Sequence, residues 1–401
     1  MKSATQLGRF GAVIILGIAA AEVLIMISPF AGFFYSTFHF EPFLGLMSQS
    51  PLTAWLDGFF LNHSVVTSAA LLEWQRAIGN WVFALGMWGF FISAFQVYGN
   101  KITKRGVAKG LLYRYVRHPQ YLCLAVASVG LLTIWPRFLL LGIWVTMLFL
   151  YAGLGRFEEQ LMEERFGDDY RRFADTRGAF LPHSPIHRFF EATFGKLRPR
   201  AIAWAAAYVC SLALVFPLGF ALRSYTHANA AILFQPENQA VVVSAWPKPQ
   251  DWLASVSGAA FADERVQRRL REAQGTSPVV VTILPPKYDM KGMFYKAPDD
   301  GGREFSFSWL GGIAAEFLVP IRGLYFMGLD PDTTAEPVQL VFSRAEKGYK
   351  DELALDETLD AGVRTTPLVV VDVMPSTGEV SDVLIPLPQN RQGPNVVMPL
   401  L

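Results

Sequence analysis

Residues 121–154 read YLCLAVASVGLLTIWPRFLLLGIWVTMLFLYAGL. One charge, Arg137, interrupts the stretch, and Pro136-Arg137 divides it into Tyr121–Trp135 and Phe138–Leu154. A bilayer span needs about 20 apolar residues, and each run falls short of that. Proline also cannot continue a helix, because it lacks the N–H and clashes with the preceding turn. The stretch therefore predicts a helical hairpin with Trp135-Pro136-Arg137 at its tip. Such a hairpin returns the chain to the membrane face from which it entered.

Three longer apolar runs flank the hairpin: Phe10–Phe34, Ala77–Val97 and Ala201–Leu222. The last two carry no charge, and the first carries Glu22. Phe10–Phe34 is too long, and too rich in Phe toward its end, for a cleaved signal peptide. It reads as a retained anchor. A carboxylate inside a span is costly, so Glu22 is either functional or protonated and bonded to a neighbouring helix. Residues 38–72 are amphiphilic but broken by Pro42, Gly45, Pro51 and Gly58, and read as an interfacial helix and loop. The expected fold is a polytopic α-helical membrane domain of about five membrane helices, hairpin included, followed by a soluble domain.

Composition agrees. Of 401 residues, 52% are hydrophobic and 17% charged, with mean hydropathy +0.29. A soluble domain carries roughly a quarter charged residues. The net charge of +1 hides an asymmetry. Residues 1–222 hold 19 Lys and Arg against 12 Asp and Glu, a net of +7; residues 223–401 hold 16 against 22, a net of −6. No dense basic run points to nucleic acid. Cys123 and Cys210 both sit in apolar stretches, so neither a disulfide framework nor a cysteine-based zinc site is proposed.

Loop charges set the orientation. Residues 36–75 contain no Lys or Arg; residues 98–118 contain six and residues 156–200 nine. The two basic segments are expected in the cytoplasm. Residues 36–75 and, after the last span, 223–401 are expected outside. The expected domains are 1–200 as membrane domain, 201–222 as final span and 223–401 as an extracytoplasmic module. In the module Ala240–Ser244, Val279–Ile283, Val338–Ser343 and Leu368–Val373 read as strands, and Phe261–Ala273 as a helix. That pattern predicts an α+β or β-sandwich domain. The apolar 309–329 run is interrupted by Gly311, Gly312, Glu316, Pro320 and Arg322, and reads as part of the module rather than a further span.

The chemistry concentrates in GLLYRYVRHPQY (110–121) and EEQLMEERFGDDYRRF (158–173), followed by Phe180-Leu-Pro182. Arg117 and His118 end a basic loop where an apolar helix begins, and Pro119 suits that helix's first turn. The hairpin brings Glu158 and Glu159 back to the same boundary, beside Tyr113 and Tyr121. A cationic pair, two carboxylates and aromatic rings suit a zwitterionic ligand carrying an aromatic ring, a carboxylate and an ammonium group. The plainer reading makes Arg117 a positive anchor, His118 a helix cap, and the glutamates a solvated face paired with Arg165. His183 and His187 have i, i+4 spacing, but Pro185 stands between them, which disfavours a metal site.

Arg-His-Pro-x-Tyr, a hairpin, Glu-Glu-x-x-Leu, Phe-Gly-x-x-Tyr and a late Phe-x-Pro together resemble the integral-membrane isoprenylcysteine carboxyl methyltransferases and phospholipid N-methyltransferases, over about residues 77–183. The resemblance implies S-adenosylmethionine as cofactor and a membrane lipid or lipophilic acceptor, methylated on a carboxyl or an amine. It implies a cofactor pocket lined by Tyr113, Arg117, His118, Pro119, Gln120, Tyr121 and Glu158. Glu159 would stand beside the reacting groups, and Arg156 would grip the acceptor's carboxylate or phosphate. No metal is implied. Where the family usually has Gly two residues before the aromatic, this chain has Leu111. Cys123 replaces a small residue, and the family's substrate arginine falls near Leu154. A bacterial inner-membrane enzyme is the expected whole. The rival expectation is an inactive methyltransferase-like scaffold whose module binds an extracytoplasmic protein.

Overall fold

The computed structural model describes residues 41–62, 69–103, 107–182, 185–273, 275–284 and 336–385. The expected anchor Phe10–Phe34 with Glu22, the 309–329 run and His183 lie outside the described residues.

Helix α1 (Glu41–Ser48) and a 3-10 turn (Ala54–Asp57) lead to the long helix α2 (Ala70–Ile102). The hairpin follows as α3 (Pro119–Ile134) and α4 (Phe138–Phe166). Then come α5 (Asp168–Asp175), α6 (Pro185–Phe194) and α7 (Arg200–Ala228). Among the described residues, Ala77–Asn100, Phe138–Phe166 and Arg200–Ala228 are long and apolar enough to cross a membrane, and α3 is apolar but shorter. Four of the five expected membrane helices, the two hairpin arms included, are thus among the described residues, and the fifth, Phe10–Phe34, lies outside them. Pro185 opens α6 rather than interrupting a helix, as suits a residue without an N–H.

The helices pack through small residues, which let backbones approach where lipid removes any hydrophobic drive between helices. A Cβ on Gly86 would strike the Ala127 backbone, and one on Gly130 would strike the backbone of Phe83. Those two glycines set the antiparallel α2–α3 contact. Helices α4 and α7 run antiparallel too. Gly219 lies under Phe138, Thr146 and Tyr208 share a hydroxyl hydrogen bond of 2.9 Å, and Phe149 meets Trp204 edge-on at 5.7 Å.

The hairpin tip is clamped by residues 57–60. Phe60 N–H donates to Pro136 O at 2.8 Å and Phe138 N–H to Gly58 O at 3.1 Å. The Arg137 guanidinium pairs with Asp57 and lies 4.9 Å from the Phe59 ring centroid. A buried arginine needs such partners, because an unpaired buried charge is too costly to keep.

The described residues between 232 and 385 fold around one sheet. Its strands are β1 (Ile232–Gln235), β2 (Ala240–Ser244), β3 (Val279–Leu284), β4 (Val338–Glu346), β5 (Arg364–Val373) and β6 (Val380–Leu384), neighbours in that order. Among these described strands only β2 and β3 pair in parallel. The crossover between them holds α8 (Gln250–Ala262) and α9 (Glu264–Glu272). Every residue of β2 is buried, and the near-continuous Val run is what a strand covered on both faces requires. Among the described residues the module thus combines one sheet with two helices, the α+β pattern. The expected helix over 261–273 is two helices, because Asp263 caps α9 with its side chain and ends α8.

The module rests on the 41–62 segment. Arg223, near the end of α7, is buried and donates to the carbonyls of Phe59 and Leu359. Arg364 Nε lies 3.7 Å from Asp57 Oδ2. Gly362, at φ +87°, sits so close to the Ala54 backbone that a Cβ there would clash at 2.6 Å. At 1.5 Å per residue, the 21 residues of α4 from Phe138 to Glu158 span about 31 Å, close to the bilayer hydrocarbon thickness. The module contact and the carboxylates thus stand at opposite ends of the helices.

Candidate active site

The loop before α3 carries a 3-10 turn, Leu111–Arg114, which buries Tyr113. Arg117 N–H and His118 N–H then donate to Gly178 O (3.0 Å) and Ala179 O (2.9 Å). Arg117 Nη1 reaches Ala174 O at 3.2 Å. A strap of residues 174–180 after α5 therefore holds the Arg117-His118 backbone in place. Pro119 starts α3, buried at its first turn.

From the other side α4 presents Glu158 and Glu159. His118 Nε2 lies 2.9 Å from Glu159 Oε1, and Nδ1 lies 3.5 Å from Glu158 Oε2. Tyr121 donates its hydroxyl to Glu158 Oε1 at 2.5 Å. Arg117 Nε is 3.0 Å from Glu159 Oε1, an ion-pair separation in which the N–H is not aimed along the line to the oxygen. Gly155 makes the approach of His118 to α4 possible, since a Cβ there would meet the ring at 3.2 Å. Aromatic rings enclose the cluster. Tyr121 stacks on Tyr151 at 5.3 Å, and Phe180 sits 5.6 Å from the His118 ring.

Burial alone would lower the pKa of His118. Hydrogen bonds to Glu158 and Glu159, and their charges, outweigh it and hold the imidazole above its ordinary value. Burial, then the Glu158 charge, pushes the Tyr113 hydroxyl up, so Tyr113 stays neutral. Burial and Glu159 raise Tyr170 to about 12. The side chain of His118 is 7% exposed, that of Glu159 22% and that of Glu158 45%. Glu158 is thus the carboxylate open to a ligand.

The expected residues separate into two groups. Tyr113, Arg117, His118, Tyr121, Glu158 and Glu159 converge. Gln120 is half-buried on the same turn and makes no hydrogen bond among the described residues. Arg156 stands beside the cluster, within electrostatic reach of Glu159, but its guanidinium is stacked 4.2 Å from the Trp204 ring on α7. Tyr151 and Gly155 were missed. Tyr151 precedes Glu158 by seven residues, two helical turns, and that spacing was the available signal.

A family model described as phospholipid methyltransferase matches residues 74–169. That segment is similar to the phospholipid methyltransferase family. No curated protein and no solved structure matches the chain. The matched segment covers most of α2, the hairpin and the start of α5, and so includes both arms of the cluster. The strap, α7 and the sheet lie outside it.

Among the described residues no group of three or more His, Cys, Asp or Glu could hold a metal ion. The donor set instead suits S-adenosylmethionine. A half-exposed carboxylate can accept from an ammonium or from ribose hydroxyls, Arg117 can face a carboxylate, and the tyrosine rings offer flat apolar surface.

Proposed function

We propose that the protein is an integral-membrane, S-adenosylmethionine-dependent methyltransferase acting on a lipid or lipophilic acceptor, of the carboxyl or amine kind. The observation that carries this reading is the meeting of His118, Tyr121, Glu158 and Glu159 inside the methyltransferase segment. S-adenosylmethionine, when bound, supplies a methyl group on a sulfonium, which needs alignment and dryness more than activation. Glu158 would accept hydrogen bonds from the cofactor's ammonium or ribose, with Tyr113, Pro119, Gln120 and Tyr121 shaping the pocket. Arg117 would face its carboxylate. A carboxylate acceptor is already nucleophilic and asks for no base; an amine acceptor would give its proton to His118 or Glu159. Arg156, on its Trp204 shelf at the outer side of α4, would take the acceptor's carboxylate or phosphate.

The basic segments 98–118 and 156–200 support placing this end of the helices in the cytoplasm. Residues 41–62 and the module docked on them then lie outside, in a bacterial inner membrane. Full-length protein in nanodiscs should bind S-adenosylhomocysteine and transfer labelled methyl to a co-reconstituted lipid extract. Failure to bind either S-adenosylmethionine or S-adenosylhomocysteine would overturn the reading and leave a scaffold.

A further inference from the structure

We propose that His118 is a built-in counter-ion of this site, and that a sulfonium-bearing nucleoside enters with release of the His118 proton to solvent, whereas its demethylated product binds without release. The inference rests on the methyltransferase reading above and adds a proton to its binding step.

The geometry suits an imidazolium. Carboxylate oxygens only accept hydrogen bonds; Nε2 of His118 meets Glu159 at 2.9 Å, and Nδ1 lies 3.5 Å from Glu158. A second ring proton lets both nitrogens face a carboxylate. The groups facing His118 are Arg117 from the loop, Tyr113 from the 3-10 turn, Tyr121 from α3, the two glutamates from α4, and Tyr170 of α5 through Glu159. The tyrosines are neutral. Arg117 and protonated His118 then face Glu158 and Glu159, with the Arg156 guanidinium also within electrostatic reach of Glu159. The upward shift of His118 agrees with that arrangement.

A ligand with ammonium, carboxylate and sulfonium brings a net +1 into this part-buried cluster. Loss of the imidazolium proton offsets that added charge. The demethylated thioether is a neutral zwitterion and adds no net charge. Discrimination between substrate and product nucleoside thereby becomes pH-dependent, favouring the sulfonium form as pH rises.

The test is calorimetric titration of the full-length protein in nanodiscs, in paired buffers of different ionisation enthalpy. The sulfonium makes the ammonium of S-adenosylmethionine more acidic than that of S-adenosylhomocysteine, so titrations are run well below both ammonium pKa values and the His118→Gln comparison isolates the site's proton. S-adenosylmethionine should release about one proton more than S-adenosylhomocysteine. Its affinity relative to the product should rise roughly tenfold per pH unit below the His118 pKa. His118→Gln should abolish both the extra proton and the slope. Equal proton counts for the two nucleosides, or an unchanged difference in His118→Gln, would overturn the inference while leaving the methyltransferase standing. Binding of neither nucleoside by the wild-type protein would overturn both.

Discussion

The two ends of the helices carry almost the same chemistry and use it differently. At the module end, Arg137 meets Asp57 among Phe59 and Trp135. At the other end, Arg117 and His118 meet Glu158 and Glu159 among Tyr121, Tyr151 and Phe180. The first cluster is closed, with side chains of Arg137 and Asp57 only 6% and 13% exposed and Arg364 near the same carboxylate. The second leaves Glu158 45% exposed. Arginine, carboxylate and aromatic rings make a rivet when every valence is filled from within. They make a binding site when one carboxylate stays accessible.

The strongest way to break the contrast is to remove Arg137. Arg137→Ala leaves the Asp57 carboxylate without its closest buried partner, a change of about 3–5 kcal/mol in other proteins. We expect a large drop in thermal stability and faster proteolysis of the module, measured in the purified full-length protein. If cofactor affinity per folded molecule fell while stability held, the module end would be the functional one.

Glu158→Ala should do the reverse. Loss of hydrogen bonds to a charged group costs about 1.5–3 kcal/mol, which is roughly a tenfold to hundredfold loss of S-adenosylmethionine affinity. A solvated surface residue would change binding by no more than about 0.5 kcal/mol. Calorimetric titration of wild type and variant separates these outcomes, with an unchanged melting temperature as the control.

How much of this contrast was legible in the sequence differs between the ends. The hairpin tip announced itself, because Pro136 and Arg137 stand alone in an apolar stretch. Its partner Asp57 lies 80 residues away, and no local pattern links the two. The site was readable because His118 and the two glutamates flank the two arms of one hairpin, so a return turn is enough to bring them together. The strap was half readable. Phe180 was singled out, but its neighbours hold Arg117 and His118 through backbone carbonyls, which leave no side-chain signature. In the module, Val-rich β2 and β3 were plain. Edge strands β1 and β6 were not, since a strand covered less fully mixes polar with apolar residues. Helix α8 hid behind its serines and glycine, of which Ser257 is buried and bonded to Gln235 on β1.

The pH response sharpens the comparison further. The folded-state pKa of His118 lies above its unfolded value, so its contribution to stability is fully present below about pH 6.5 and is lost as pH rises through the raised value. Thermal denaturation of wild type and His118→Gln across that window should converge as pH rises. The Arg137 cluster contains no histidine, so Arg137→Ala should keep a constant deficit over the same range. Parallel curves for His118→Gln would show that the imidazole is not charged in the fold.

The smallest expected effect lies at Leu111. The resembled family places glycine two residues before the aromatic, and here that position, two before Tyr113, holds a leucine at φ +45°. An L-residue there brings its Cβ too close to its own carbonyl, at a cost of roughly 1–2 kcal/mol. The side chain gives little back, being 61% exposed. Glycine removes the strain but adds freedom to the unfolded chain, worth about 0.5–1 kcal/mol in the opposite sense. Leu111→Gly should therefore be neutral to slightly stabilising, by up to about 1 kcal/mol, and Leu111→Val should be destabilising, since a β-branched residue tolerates positive φ least. Because the turn carrying Leu111 also buries Tyr113 against the Glu158 cluster, relief of strain should leave S-adenosylhomocysteine affinity the same or tighter. A Leu111→Gly variant that melts lower and binds worse would mean that the exposed leucine contacts a lipid or a ligand, and that the departure from glycine serves this protein's own acceptor.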